Sequence, residues 1–203
     1  MIVSFRRNPV SYRRYVAAYV LLVASVVSAQ REPFTSASAV SFSISTDRNT
    51  YNRRENIIVK YQIKNISKVP LYVPKDRGET WCLGLGSGIT FIDHVDVWLE
   101  NTAGKDFRAG LVGGCGWAGA PPTFSERLHA AAVLLHPGEH FDGTIALEGS
   151  LFQVPSGGYR VEAKLDGWKE EQFSPEERAE LSKMGAPFLG GETPASVFIV
   201  VIQ

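Results

Sequence analysis

The stretch LLHPGEHFDGTIALEGSLFQVPSGGYRVEAK, residues 134–164, combines strong turn signals with alternating apolar residues. Proline and glycine mark a turn at 137–138 and another at 155–158, so the stretch predicts turn, strand, turn, strand. Each strand carries a period-two face, and these faces comprise Phe141, Gly143, Ile145 and Leu147, then Tyr159, Val161 and Ala163. Two such strands are not stable alone in water, so the rest of the chain must supply more strands and a facing sheet.

Further strands are predicted on both sides of this stretch. Alternation is clear at 40–44 and 57–63, and residues 89–100 are extended with a break at Asp93. The prolines at 70 and 74 lack a ladder donor, which places residues 69–74 at a sheet edge. The apolar run 195–202 predicts a closing strand buried on both faces. Together these segments predict an all-β fold, an antiparallel immunoglobulin-like β-sandwich of seven or eight strands.

One short inserted helix and one hairpin turn have specific local signals. Ser174, Pro175 and Glu177 form a capping box with proline at the first helical position, and Gly185 is expected to end the helix. Residues 101–104 predict a four-residue turn in which Gly104 takes positive φ. The stretch 127–135 is apolar without a clean period, so its structure stays open.

The first 29 residues have the pattern of a signal peptide. Four arginines precede an apolar run at 15–27, and small residues follow at the expected cleavage site after Ala29. A run of this length is short for a membrane span, which needs about 20 apolar residues. We expect a cleaved leader and a secreted or periplasmic protein, with an uncleaved anchor as the alternative. Residues 30–38 are then a flexible lead-in, and residues 39–203 form the immunoglobulin-like domain.

Charge and composition exclude several partners. The four leader arginines belong to a chain with 21 basic and 21 acidic residues, so the remainder carries four more acidic than basic side chains. A mildly acidic domain without a basic cluster is a poor candidate for binding nucleic acid or an anionic membrane. No segment after the leader is apolar enough to span a bilayer.

Cys82 and Cys115 are the two cysteines, and in an exported protein an even count favours a disulfide. Both lie in glycine-rich segments and each has a tryptophan nearby, Trp81 and Trp117. These rings are candidates for a rigid aromatic recognition surface for a protein, a peptide or a glycan. The alternative is that they pack against the disulfide and cover the end of the core.

Several turn and strand elements resemble BsuPI-type bacterial proteinase inhibitors. They are IVKYQIKNIS with its asparagine at 65, HVDVWLENTAGKDF, LHPGEHF and PSGGYRVEAKL, and they cover roughly residues 40–165. The resemblance implies an immunoglobulin-like fold and suggests protease inhibition as one possible activity. The inhibitor's contact loop has no residue-by-residue match here, and this chain adds the two glycine-rich segments and the inserted helix.

The histidines raise a second alternative, a metal site or metal-dependent enzyme. His94, His136 and His140 could converge with a carboxylate at one end of a sandwich, whereas a turn position favours solvated side chains. No nucleophile elbow, phosphate-binding loop or paired catalytic carboxylates are recognisable. The expectation is therefore a binding module without catalytic activity, metal or other cofactor.

Overall fold

The computed structural model describes residues 33–75, 94–108, 123–149 and 154–203. In these ranges the protein is mostly β, with three open sheets and two α-helices. In chain order the strands are β1 Phe34–Thr35, β2 Val40–Thr46, β3 Thr50–Asn52, β4 Ile57–Asn65, β5 Leu71–Pro74, β6 Val95–Asn101, β7 Asp106–Phe107, β8 Ala132–Leu135, β9 His140–Leu147, β10 Gly157–Asp166, β11 Phe188–Leu189 and β12 Glu192–Ile202. The helices are α1 Phe124–Ala131 and α2 Pro175–Leu181, with short 3-10 helices at Ala37–Ala39 and Glu170–Gln172. None of the helices described is long and apolar enough to cross a bilayer.

The first strand predicted in residues 134–164 is β9, and it lies in a three-stranded antiparallel sheet of order β2-β4-β9. Its central strand β4 alternates buried and more exposed residues along its full length. In β9 the face predicted to be apolar is the less exposed one, and Leu147 is buried. The alternation of apolar residues thus correctly predicted which face of β4 and of β9 points to the core.

The second half, β10, lies in a different sheet, of order β3-β12-β10-β6-β7. β10 is antiparallel to β12 and to β6, and the predicted face of Tyr159, Val161 and Ala163 is buried. The hairpin turn between β6 and β7 is confirmed, with Gly104 at φ 74°. The two halves of the stretch therefore belong to two sheets and do not pair with each other.

The third sheet has the order β1-β11-β5-β8, and it corrects the edge position predicted for residues 69–74. β5 is internal, parallel to β11 and antiparallel to β8. Pro70 precedes the strand and Pro74 is its last residue, so neither missing donor interrupts the ladder. The amide that faces the β11 side is that of Tyr72, which donates to the carbonyl of Pro187 (2.9 Å).

Two core clusters draw on the three-stranded and five-stranded sheets alike. One contains Val59 of β4 and Leu147 of β9 together with Leu99, Val161 and Ile199 of the five-stranded sheet. The other contains Phe42 and Ile63 with Ala163 and Leu165, and it extends to β5 and β8. The inward faces of both sheets are thus buried against common partners.

Several finer predictions differ from the structure. The described residues contain twelve strands, four of them of three residues or fewer, rather than seven or eight. They contain two α-helices rather than one, because the stretch left open forms α1 followed by β8. The pairs β1–β11, β5–β11 and β3–β12 are parallel, so the fold is not purely antiparallel. A strand not predicted from the sequence, β3, buries Tyr51 in a core cluster.

Both ends of the described chain also depart from expectation. The lead-in predicted to be flexible contains β1, and the ring of Phe34 packs against Phe173 at a centroid distance of 5.6 Å. β12 is not buried on both faces, since Phe198 is 58% exposed and Ile202 45% exposed. The Phe198 ring lies across Gly158 of β10, where a side chain would meet it within 2.8 Å. The apolar run at 195–202 therefore did not show whether the strand is buried on one face or on both faces.

The predicted capping box of α2 is confirmed. The Ser174 hydroxyl accepts from the Glu177 amide, and the Glu177 carboxylate accepts from the Ser174 amide. Gly185, at φ 76°, lies four residues beyond the last helical residue. α1 has the same device at Thr123 and Glu126, which the sequence reasoning did not identify.

Asn65, at the end of β4, is fully buried and joins three segments. Its Nδ2 donates to the carbonyls of Val69 and Leu135 (2.9 Å each), and its Oδ1 accepts from the amide and hydroxyl of Ser67. Its backbone amide donates to Glu139, and its carbonyl accepts from Gly138 (2.9 Å each). The last residue of β4 thereby fixes the start of β5 and the turn between β8 and β9.

We expect Asn65→Ala to lower the free energy of unfolding by about 2–4 kcal/mol, because it removes four side-chain hydrogen bonds and takes away the Asn65 donor from the carbonyl of Leu135 in a buried position. Ser67→Ala, which removes only one of these hydrogen bonds, should cost about 1 kcal/mol. Urea unfolding followed by circular dichroism measures both. Equal and small losses for the two variants would contradict a central role for Asn65.

Candidate functional site

The residues predicted to form the recognition surface, Trp81 and Trp117, lie outside the described residues. Cys82 and Cys115 lie outside them as well, so the disulfide stays a prediction. The structure does describe the residues that flank the two glycine-rich segments, 76–93 and 109–122.

The flanking residues meet in pairs. Arg108, before the second segment, forms an ion pair with Asp96, which follows the first segment by three residues. The Arg108 guanidinium also stacks on the ring of Trp98 at 4.2 Å. At the other ends, the amide of Lys75 donates to the carbonyl of Ala131 in α1 (2.7 Å), the helix that begins after the second segment. The residue that precedes each segment therefore contacts a residue that follows the other segment.

A third cluster of buried side chains supports these flanking residues, and we call it the aromatic cluster. Its fully buried members are Leu128, Trp168, Phe173, Leu181 and Phe188, with Phe34, Tyr72 and Phe124 at its margin. The Trp168 ring meets Phe188 edge-on at 5.3 Å, and Phe188 stacks on Tyr72 at 4.7 Å. Such contacts fix ring orientation in addition to burying apolar area.

Three of the four flanks attach to the aromatic cluster. Thr123 caps α1, whose Phe124 and Leu128 belong to the cluster. Lys75 follows β5, which contributes Tyr72, and His94 packs edge-on against Trp168 at 5.1 Å. Trp168 is 1% exposed and packs within the cluster. Sequence reasoning did not identify the cluster, because these residues come from five segments far apart in the chain.

His94 is buried and makes a specific contact. Its Nδ1 lies 2.8 Å from the carbonyl oxygen of Asp166, which only accepts, so Nδ1 carries the proton. The amide of Asp166 donates back to the carbonyl of His94 (2.7 Å). Burial lowers the pKa of His94 to about 4, partly opposed by the bond to Asp166. The imidazole is therefore neutral at pH 7.

The structure does not bring the histidines together as a metal site. His129, His136 and His140 are exposed, and the Nε2 of His140 lies 3.3 Å from Asp142. Within the four described ranges there is no group of three or more His, Cys, Asp or Glu side chains that could hold a metal ion. His94 instead packs against the aromatic cluster.

A shallow pocket of about 390 Å³ lies on the three-stranded sheet, and the sequence reasoning did not identify it. Its polar lining comprises Ser43, Ser45, Lys60, Gln62, Asp142 and Thr144. Gln62 donates to the Asp142 carboxylate (3.0 Å), which links β4 to β9 across the pocket. The alternation of polar residues on β2 and β4 is the signal that marks this face.

Comparison with known proteins leaves the family open. No family model and no curated protein matches the chain. Similar solved structures include a β-glucosidase from Erythrobacter marinus (12% identity, TM-score 0.38, 80% of this chain and 16% of that one). A mutant β-glucosidase from Listeria innocua in complex with laminaribiose is 14% identical (TM-score 0.36, 81% and 16%). The CARDB domain of a Pyrococcus furiosus protein in complex with di-metal ions is 13% identical (TM-score 0.35, 80% and 87%).

These similarities carry no argument about activity, ligand or metal. The chain spans about a sixth of the length of the two β-glucosidases. The comparisons give no support to the resemblance to BsuPI-type inhibitors, so protease inhibition continues to rest on that resemblance alone.

The buried histidine predicts a pH dependence of stability. The unfolded chain binds a proton at His94 near pH 6.5, whereas the folded protein does so only near pH 4. Unfolding therefore takes up a proton between these values, so the stability from His94 is complete above pH 6.5 and is lost as the pH falls to 4. At pH 4.5 the loss should be about 2–3 kcal/mol.

Urea unfolding at pH 7.5 and 4.5 measures this loss in the wild type and in His94→Gln. The variant should lose less stability on acidification than the wild type does, while His136→Ala, at an exposed position, should behave like the wild type. The same loss in His94→Gln as in the wild type would contradict the assignment.

Proposed function

We propose that the chain is an exported binding module without catalytic activity. In this proposal the two sheets that share core clusters form an immunoglobulin-like β-sandwich, and Trp81 and Trp117 form the recognition surface. The ligand would be a protein, a peptide or a glycan, and the export would follow from the leader at residues 1–29.

The attachment of both tryptophan-bearing segments to the aromatic cluster carries this proposal. Binding residues are commonly placed on loops that a rigid scaffold positions. Here three of the four flanks join one cluster of packed rings, and the fourth, Arg108, is ion-paired to Asp96. A Cys82–Cys115 disulfide would restrict the two segments further. Ordering the tryptophans in advance would lower the entropic cost of binding.

The chemistry of tryptophan suits such a surface. An indole offers a large apolar face and a single N–H donor, and tryptophan is enriched among residues that dominate binding energy. Replacing such a residue with alanine typically costs more than about 2 kcal/mol, or roughly thirtyfold in affinity.

The test compares wild-type protein with the double variant Trp81→Ala/Trp117→Ala on peptide and glycan arrays. A ligand bound by the wild type should be lost or weakened at least about thirtyfold in the double variant. Phe198→Ala is the control, because Phe198 is an exposed aromatic residue of β12 on the five-stranded sheet. It should retain binding. Equal binding by the wild type and the double variant would contradict the proposed surface.

Acrylamide quenching of tryptophan fluorescence gives a second measurement that needs no ligand. Trp168 is buried and should resist quenching. The double variant should lose most of the readily quenched emission if Trp81 and Trp117 face solvent. If the double variant had the same quenchable fraction as the wild type, both rings would be buried, and this result would contradict the proposed surface.

A further inference from the structure

The edges of the three sheets differ in how far they are open to further pairing. The five-stranded sheet ends in β3 and β7, of three and two residues, and the four-stranded sheet ends in β1 and β8, of two and four. The three-stranded sheet instead ends in the longer strands β2 and β9. A long edge strand exposes a row of unpaired backbone groups that can pair with another chain.

β2 and β9 are not equivalent edges. β2 lies against β12 of the five-stranded sheet. β9 pairs with β4 without interruption from Leu147 to His140, and it contains no proline, no lysine and no bulge. Of the devices that usually block edge pairing, it carries one charged side chain, Asp142. Within the four described ranges, β4 is the only strand with which β9 forms a ladder.

The hydrogen-bond pattern identifies which β9 residues face the open edge. The amide of Asp47 donates to Ile58, so even-numbered residues of β4 bond towards β2. The amide of Asn65 donates to Glu139, so odd-numbered residues of β4 bond towards β9, where they meet odd-numbered partners. The N–H and C=O groups of the even-numbered β9 residues therefore point away from β4. These residues are His140, Asp142, Thr144 and Ala146.

We propose that β9 is a homodimer interface, in which β9 of a second copy pairs antiparallel about a two-fold axis at Gly143. In an antiparallel pair, residues whose backbone groups face the partner strand lie opposite one another. The even-numbered residues of one copy must therefore lie opposite even-numbered residues of the other, which requires the two-fold axis to pass through a residue and not between two residues. With the axis at Gly143, Asp142 lies opposite Thr144 and His140 opposite Ala146 of the other copy. This register forms about eight backbone hydrogen bonds, whereas an axis at Thr144 forms about six.

The side chains fit the same register. On the core side Phe141 lies opposite Ile145 of the other copy, and both are only half-buried at the margin of the cores. The second copy would cover their exposed parts, which is favourable in proportion to the apolar area removed from water. On the outer side no two like charges are directly opposite, since each Asp142 faces a threonine. Gly143 has no side chain, and the Tyr61 ring occupies that space.

Sedimentation velocity of the purified protein over a hundredfold range of concentration tests the dimer. The average mass should rise towards that of a dimer. Thr144→Pro removes an N–H that points to the open edge and leaves the β4 ladder intact, so it should weaken association at least tenfold. Thr144→Val keeps that N–H and is the matched control, which should associate like the wild type. A monomer throughout the wild-type range, or a dimer unaffected by Thr144→Pro, would overturn the proposal.

Two charge variants test the register without introducing proline. At the Gly143 axis, Thr144→Lys lies opposite Asp142 and should strengthen association, whereas Thr144→Asp lies opposite a like charge and should weaken it. At a Thr144 axis, position 144 would lie opposite itself and both variants would weaken association. Equal weakening by both variants would therefore overturn the Gly143 register, and no effect of either would overturn the interface.

Discussion

The four side-chain hydrogen bonds of Asn65 hold the junction between two of the three sheets. The residue ends β4, yet its side chain fixes the start of β5 through Val69 and the end of β8 through Leu135. It therefore joins the three-stranded sheet to the four-stranded sheet that carries Tyr72 and the aromatic cluster. Both donor protons and the acceptor oxygen are used, so no smaller polar side chain satisfies this buried site.

The sequence predicted the buried faces of strands, the turns and the helix caps better than it predicted which strands pair with each other. Period two identified the core face of β4 and β9, and the signals at Gly104 and Ser174 are local, so they were found. Pairing partners depend on contacts distant in sequence, which is why β9 and β10 were not assigned to separate sheets. Residues 69–74 were placed at an edge because proline lacks a donor, but in the structure the prolines avoid the positions where a donor is needed.

The candidate site was less predictable than the fold. Trp81 and Trp117 were chosen from their neighbourhoods, but nothing in the sequence indicated that the flanking residues would meet on one cluster of rings. His94 was considered as a metal ligand together with His136 and His140, whereas the structure buries it against Trp168. A period-two pattern gives no sign of such contacts, since it describes one strand at a time.

Hydrogen exchange at the side-chain amide of Asn65, followed by NMR, tests whether this residue holds the two sheets together. Both Nδ2 protons should exchange slowly, at a rate close to that of the β4 backbone amides, because both are donated to backbone carbonyls by a side chain that is fully buried. Asn52, whose side chain is exposed, is the internal reference for fast exchange. If the Asn65 amide exchanged as fast as that of Asn52, the junction between the sheets would not be held in the way described.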